Sequence, residues 1–426
     1  MRKSCKNIDI KDFSTIRPWV LDCCMRHKKR HDFKQLFLNH GMNEKDYKLA
    51  ILAQDYSTFD KPIDSICREA IRRIEKRELN LPPVHIRMMN DSTTGKLRPI
   101  GWESAIQQVF DYIAVHSSMP IFLRRIVCEQ ASSIPGRGQV YGAKLIQEWI
   151  QTDNDAARFA RKHGLSYTRK CRYFVKLDIR KCYPYANRNR FLELFEKDCG
   201  NEDIIWLWTV LIRSHETDYD ELQPDGSMKH IHYTGFLIGA LPSQWACQYM
   251  ISFLYRHVKS LTIRRRNNRI PLVSHMIMFM DDMLLTGSNR KSLKTAVEGL
   301  IKYSEYYLGW FIKPEWHIRD IDLFAIDMMG YVIHSDGHIT IRGRNYVKSR
   351  RLALRFQKEN NITLTSARRI TSYKGFYDHS DVRKPYNEYG MQKCFNAASK
   401  VIGIYDRRKN NADRKSVLRL STAGWH

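Results

Sequence analysis

Three aspartates stand where apolar runs end. Asp178 closes Tyr173-Phe174-Val175-Lys176-Leu177, and Asp281-Asp282 separates His275-Met276-Ile277-Met278-Phe279-Met280 from Met283-Leu284-Leu285. Adjacent like charges repel, and a turn can use Asn-Gly instead, so an acidic pair between two apolar runs is a poor choice for stability alone. Taken singly, an Asp at a strand end is a turn former. With the strands as neighbours in one sheet, Asp178 and Asp281 would converge, and such a spot binds hard divalent cations through oxygen. Two such ions about 4 Å apart can activate a hydroxyl and stabilise the leaving oxygen of a phosphoryl transfer.

Elements on either side must hold these carboxylates and bring them a substrate. Tyr173–Ile179 reads as a strand, with a helix around Arg190–Phe195 after it, and the acidic pair reads as the tip of a tight hairpin. Upstream, Val84–Met89 and Lys96–Ile100 flank the turn cluster Asn90–Gly95, a hairpin with a basic return strand, and a helix continues the chain from Ala105 to about His116. Residues 1–80 read as a basic helical extension: Trp19, Leu21, Cys24, then Phe33, Leu36, Phe37, then Ile63, Cys67, Ala70 or Ile71, and Ile74 recur at helical spacing.

Charge names the partner class. The 426 residues carry 71 Lys+Arg against 45 Asp+Glu, a net +26, which calls for a polyanion. Ile341–His426 holds 20 basic and 6 acidic residues, net +14, yet keeps apolar positions such as Leu352, Phe356, Ile370 and Tyr377, so it reads as a folded basic module. Tyr373, Phe376 and Tyr377 are expected to pack its core. No run of about 18 apolar residues suggests a membrane span. No apolar segment comes after the charged start as in a secretory signal. Ten scattered cysteines without a Cys-x-x-Cys pair argue against a zinc site or a disulfide framework and suit a reducing cytoplasm.

The order and context of these pieces resemble a reverse transcriptase from about Leu81 to Ile341. Lys96-Leu97-Arg98-Pro99-Ile100 looks like the fingers strand that holds the incoming triphosphate, and Phe174-Val175-Lys176-Leu177-Asp178 like the first palm motif. Tyr183 falls where the family keeps an aromatic gate under the nucleotide sugar. Phe279-Met280-Asp281-Asp282 resembles the Tyr-x-Asp-Asp box with Phe in the Tyr place. Leu308–Glu315 resembles the motif after it, and Met328-Met329-Gly330-Tyr331 the primer grip. The resemblance implies an α+β right-hand polymerase: fingers and palm over 81–340, then a helical thumb over 341–426. It implies Mg²⁺, two ions with Mn²⁺ as a substitute, on Asp178, the Ile179 carbonyl, Asp281 and Asp282, the last coordinating less directly. It assigns Lys96, Arg98, Tyr183, Gly239, Ser243, Gln244 and Lys313 to the nucleotide, and Arg137, Gly330, Tyr331, Arg350, Arg351 and Arg355 to template and primer.

Leu237-Ile238-Gly239-Ala240-Leu241-Pro242-Ser243-Gln244 narrows the resemblance. Retroviral, retron and intron-encoded enzymes usually carry Gln-Gly and Ser-Pro here. Ile-Gly and Ser-Gln look like the diversity-generating retroelement enzymes and related bacterial, including defence-associated, relatives, as do Ile134-Pro135-Gly136-Arg137-Gly138 and Thr371-Ser372-Tyr373-Lys374-Gly375. The departures are Phe279 for Tyr, a longer N-terminal region, and no endonuclease or RNase H carboxylate set after the palm. The implied partners are an RNA template, in particular a dedicated non-coding RNA, dNTPs, the DNA product and an accessory protein, with no membrane. Two other readings stand beside cDNA synthesis. One is a catalytically weak fold that only holds a structured RNA, against which the intact aspartates argue. The other is an RNA-dependent RNA polymerase, against which Tyr183 argues.

Overall fold

The computed structural model describes residues 3–90, 97–223, 225–265, 267–359, 362–382 and 389–422. Strands run β1 His85–Asn90, β2 Leu97–Trp102, β3 Tyr173–Asp178, β4 Thr217–Leu222, β5 Met228–Tyr233, β6 Thr262–Arg265, β7 Asn268–Pro271, β8 His275–Phe279, β9 Asp282–Gly287, β10 Arg319–Asp320, β11 Ile326–Met328, β12 Tyr331–Ile333 and β13 Ile339–Ile341. The principal helices are α1 Phe13–His27, α2 Asp60–Glu75, α3 Ala105–Ser117, α4 Gln139–Lys162, α5 Glu202–Ser214, α6 Leu241–Ser260, α7 Gly343–Lys358 and α8 Met391–Thr422. Among the described residues no helix is long and apolar enough to cross a membrane.

The chain forms two compact units, each built from separated segments. The first is Met1–Val127, Ile179–Arg256 and Ile301–Ile312. Asp12 caps α1 by accepting from the Thr15 N–H, and the helix buries Ile16, Val20, Cys23 and Cys24. Helix α2 buries Ile63, Ile66, Cys67, Ala70 and Ile74, the spacing its sequence predicts. Trp19 stacks on His116 of α3 at 6.0 Å, and Arg30 Nη1 donates to Gln108 Oε1 at 2.9 Å. The N-terminal helices therefore share a core with α3. At the centre of this unit Trp208 lies 5.3 Å from both Phe191 and Phe195.

The second unit is Cys128–Asp178, His257–Leu300 and Lys313–His426. Its four-stranded sheet has the order β10-β3-β9-β8, antiparallel throughout. One face packs Phe174, Ile277 and Leu284 in a core with Ile146 and Ile150 of α4. A smaller sheet, β11-β12-β13, turns between its first two strands on Met329 and Gly330, both with positive φ (56° and 86°), the pair of values that a two-residue hairpin requires. Beyond residue 341 the helices close on Ala353, Phe356, Ala367, Ile370, Tyr377, Met391 and Phe395, with Tyr373 and Phe376 packed against them.

Candidate active site

Apolar alternation decides where the carboxylates go. Val175 and Leu177 are buried and fix the face of β3, so Asp178 comes at its end on the side of Lys176. Pairing of β3 with β9 puts Asp178 directly opposite Asp282. The hairpin tip is Met280-Asp281, with Met280 in the left-handed region (φ 55°), and Asp282 already belongs to β9. The cross-strand partner of Asp178 is Asp282, and Asp281 sits in the turn beside it. The strained turn is braced from outside, since Ser132 Oγ accepts from the Met280 N–H at 2.7 Å. The Ala131 N–H donates to the Met278 carbonyl at 2.8 Å.

Carboxylates facing each other across a ladder repel. Burial, then Asp281, and more weakly Asp178, push the Asp282 carboxyl above its ordinary value. Lys313 answers part of the charge: its N–H donates to the Asp178 carbonyl at 2.9 Å, and its Nζ lies 2.8 Å from Asp178 Oδ1. Hydrogen bonding to Asp178 raises the Lys313 ammonium in turn. Among the described residues no group of three or more His, Cys, Asp or Glu is arranged to hold a metal ion as it stands. The donor chemistry nevertheless fits one, being hard carboxylate oxygens set close together.

The first unit assembles three of the residues assigned to the nucleotide. Gly101 N–H, at the end of the strand that carries Arg98, donates to the Ile238 carbonyl at 2.8 Å. Phe236 N–H donates to the Tyr183 carbonyl at 2.8 Å. Both approaches depend on glycine: a Cβ on Gly101 would stand 2.1 Å from Leu237, and one on Gly235 would stand 2.2 Å from the Tyr183 carbonyl. Gly239 has φ 107° and is exposed. Arg98, Tyr183 and Gly239 are thus carried by segments bolted to one another. Ile179, fully buried, bridges to Ile312 in the same unit, and Trp310 Nε1 donates to the Cys182 carbonyl at 3.0 Å.

Other expectations change. Ser243 is fully buried, its Oγ 3.4 Å from His215 Nδ1, while His215 Nε2 lies 3.0 Å from Glu103 Oε1. Its hydroxyl therefore faces the core of its unit rather than a template base, and partly buried Gln244 comes next to it in α6. Tyr331 is 1% exposed and packs on Phe376 at 5.3 Å, because β12 turns it and Ile333 to the core. Its side chain is structural. Gly330 lies beneath Phe376, where a Cβ would come within 2.5 Å. Arg137 Nη1 donates to the Gln130 carbonyl at 3.2 Å. Arg351 and Arg355 are exposed on α7 in a stripe with Arg344, Lys348 and Lys358, whereas Arg350 stands off that stripe, over the Tyr389 ring at 4.6 Å. Lys96 lies outside the described residues. Sequence reading missed Glu103, His215, Ser132 and Gly235; only Gly235, in Tyr-Thr-Gly-Phe, carried a signal.

No protein-family model matches the chain, and no curated protein does. Solved structures similar to it include telomerase from Candida albicans in complex with a fragment of telomeric RNA, at 11% identity and a TM-score of 0.39, covering 80% of this chain and 63% of that one. Apo telomerase from Candida tropicalis gives 11% identity and a TM-score of 0.39 over 95% of this chain and 78% of that one. The Candida tropicalis protein truncated from its C-terminal domain gives 13% and 0.39, with 80% and 84% covered. The chain thus spans under two thirds of the first of these.

Proposed function

We propose that this chain is an RNA-directed DNA polymerase that extends a primer on an RNA template by nucleotidyl transfer, in a bacterial retroelement or antiviral defence system. The observation that carries this reading is the ladder position of Asp178 opposite Asp282, with Asp281 in the adjoining turn. Mutually repelling carboxylates at the edge of an apolar sheet have no use in folding. They suit a site that receives cations and phosphates.

In this reading Asp178, Asp281, Asp282 and the Ile179 carbonyl hold Mg²⁺, with Mn²⁺ as a substitute, and the bound metal supplies Lewis acidity at the reacting oxygens. Lys313 holds Asp178 in place beforehand and offers a positive charge to the triphosphate. Arg98 and Lys96 neutralise the triphosphate, Arg through its fixed fork of donors. Tyr183 occupies the space of a 2′-hydroxyl, which makes the product DNA. An accessory protein and a dedicated non-coding RNA complete the proposed system.

The test is primer extension with the full chain, Mg²⁺ and each dNTP on an RNA template, with Asp178→Asn as control. Template-directed incorporation by the wild type and none by the variant is expected. Failure of the wild type on every RNA template would leave a protein that only binds RNA.

A further inference from the structure

The segment between α6 and the β8–β9 hairpin is a second basic feature with no part in the carboxylate site. Strands β6 and β7 form a two-stranded ribbon in which Ile263 pairs with Ile270, Arg264 with Arg269 and Arg265 with Asn268. Thr262–Pro271 contains four arginines and no acidic residue. Arg266 lies outside the described residues. Every residue of both strands is exposed, Ile263 and Ile270 at 41% each. The base is fixed, since the Leu272 N–H donates to the Leu261 carbonyl at 3.0 Å and Leu272 is buried.

Within the ribbon the electrostatics are unfavourable. Arg264 stands directly across the ladder from Arg269, a like-charge pair that weakens a strand pairing already marginal on its own. The polar contact shown for Arg264 is Nη2 to Asn267 Oδ1 at 3.3 Å, and among the described residues Arg264, Arg265 and Arg269 make no ion pair. Several arginines elsewhere in the chain are answered internally: Arg125 by Asp198, Arg188 by Glu216, Arg169 by Asp322. The guanidinium fork matches phosphate oxygens in pairs. The ribbon bears no aromatic ring on which a base could stack, and its exposed apolar surface is a single cross-strand pair, Ile263 and Ile270, too small a face to enter a lipid layer.

We propose that the Thr262–Pro271 ribbon is an RNA-backbone contact, separate from the α7 stripe, that grips phosphates without reading bases. This rests on the RNA-partner part of the proposed function and not on catalysis. The experiment uses the full chain in an Asp178→Asn background, so that polymerase activity has no bearing on it. A fluorescein-labelled single-stranded RNA oligonucleotide is titrated by anisotropy across a KCl series. Arg264→Gln, Arg265→Gln and Arg269→Gln are introduced together, and Arg344→Gln, Arg351→Gln and Arg355→Gln form a parallel variant. The ribbon variant should flatten the log-log salt slope by about 2, three contacts at about 0.7 each, and lose a similar amount on DNA of the same sequence. Its melting temperature should hold or rise as the like-charge pair disappears. A wild-type slope in the ribbon variant, with a flattened slope in the α7 variant, overturns the proposal alone. A loss confined to DNA overturns the RNA assignment, and a fall in melting temperature shows that the arginines serve the fold. Absence of RNA binding by the parent overturns the RNA-partner reading as well.

Discussion

Asp198 in the first unit and Asp282 in the second are carboxylates of the same chain drawn largely out of water, and their surroundings push them in opposite directions. Asp198 is 2% exposed and receives Arg125 Nε and Nη2 at 2.6 Å each, Arg124 Nη2 at 3.3 Å and the Tyr249 hydroxyl at 2.8 Å. Burial alone would raise its carboxyl, but Arg125 and Tyr249 outweigh it and hold the group below its ordinary value. At Asp282 burial and Asp281 act together, Asp178 adds to them, and Lys176 and Arg342 do not offset the sum. A carboxylate fully answered by the chain's own cations serves the fold. One set against its own kind is what the proposed function would have a cation from outside answer.

The widest separation between the two sites should appear when each is removed. Asp178→Asn and Asp281→Asn should lower primer extension by on the order of 10³-fold or more, about 4 kcal/mol in the barrier, while melting temperature holds or rises. Asp198→Ala should do the reverse, leaving the partly buried Arg125 without its partner and costing about 3 kcal/mol of stability by denaturant titration, with activity per folded molecule kept. The contrast breaks if Asp178→Asn unfolds the chain or Asp198→Ala leaves stability intact.

Tyr183 tests whether the first unit selects the sugar. Tyr183→Val opens space under the 2′ position and should raise ribonucleotide use relative to deoxyribonucleotide by about 10-fold or more, the worth of relieving one steric overlap. Equal ratios of kcat/KM for the two sugars in wild type and variant would remove Tyr183 from the nucleotide.

Asp282 gives a smaller effect with a definite sign in pH. A carboxyl raised above its unfolded value of 3.8 favours the fold below that value, and this stability is lost as pH rises through the folded value. Asp282→Asn should therefore raise the melting temperature most near neutral pH, with the gain fading as pH falls towards 3.8. Its synthesis should fall less than that of Asp281→Asn. A gain that grows on acidification would contradict the repulsion.

Much of this was legible because it obeys local pattern. The strand before Asp178, the hairpin at Met280-Asp281 and the helix at Ala105–Ser117 all come from apolar runs with their punctuation. What was hidden depends on contacts distant in sequence. Nothing local to Ser243 says that its hydroxyl turns to His215, or that His215 leans on Glu103, 112 positions away. The register that gives Asp178 to Asp282 rather than to Asp281 is likewise set by a turn of two residues whose first member, Met280, adopts a glycine-like φ.

Cations divide in the same way as the carboxylates, and Arg350 is where the division is finest. Arg344, Lys348, Arg351, Arg355 and Lys358 recur on α7 every three or four residues and so form one stripe, opposite the buried Ser349, Ala353 and Phe356. Arg350 is a quarter-turn away and lies over the Tyr389 ring at 4.6 Å. A guanidinium held on an aromatic face at the surface contributes about 0.5–1 kcal/mol to stability. It is answered within the chain in the sense that Asp198 is, whereas Arg344, Arg351 and Arg355 make no ion pair among the described residues. Arg350→Gln should therefore lower stability by about 0.5 kcal/mol and leave the salt dependence of template–primer binding nearly unchanged. Arg351→Gln with Arg355→Gln should flatten that dependence by about 1.5 units at little cost to the fold. If Arg350→Gln alone shifts the salt slope by about 1, the arginine leaves Tyr389 for a phosphate when nucleic acid binds. The line between answered and unanswered charge would then have to be drawn in the bound state.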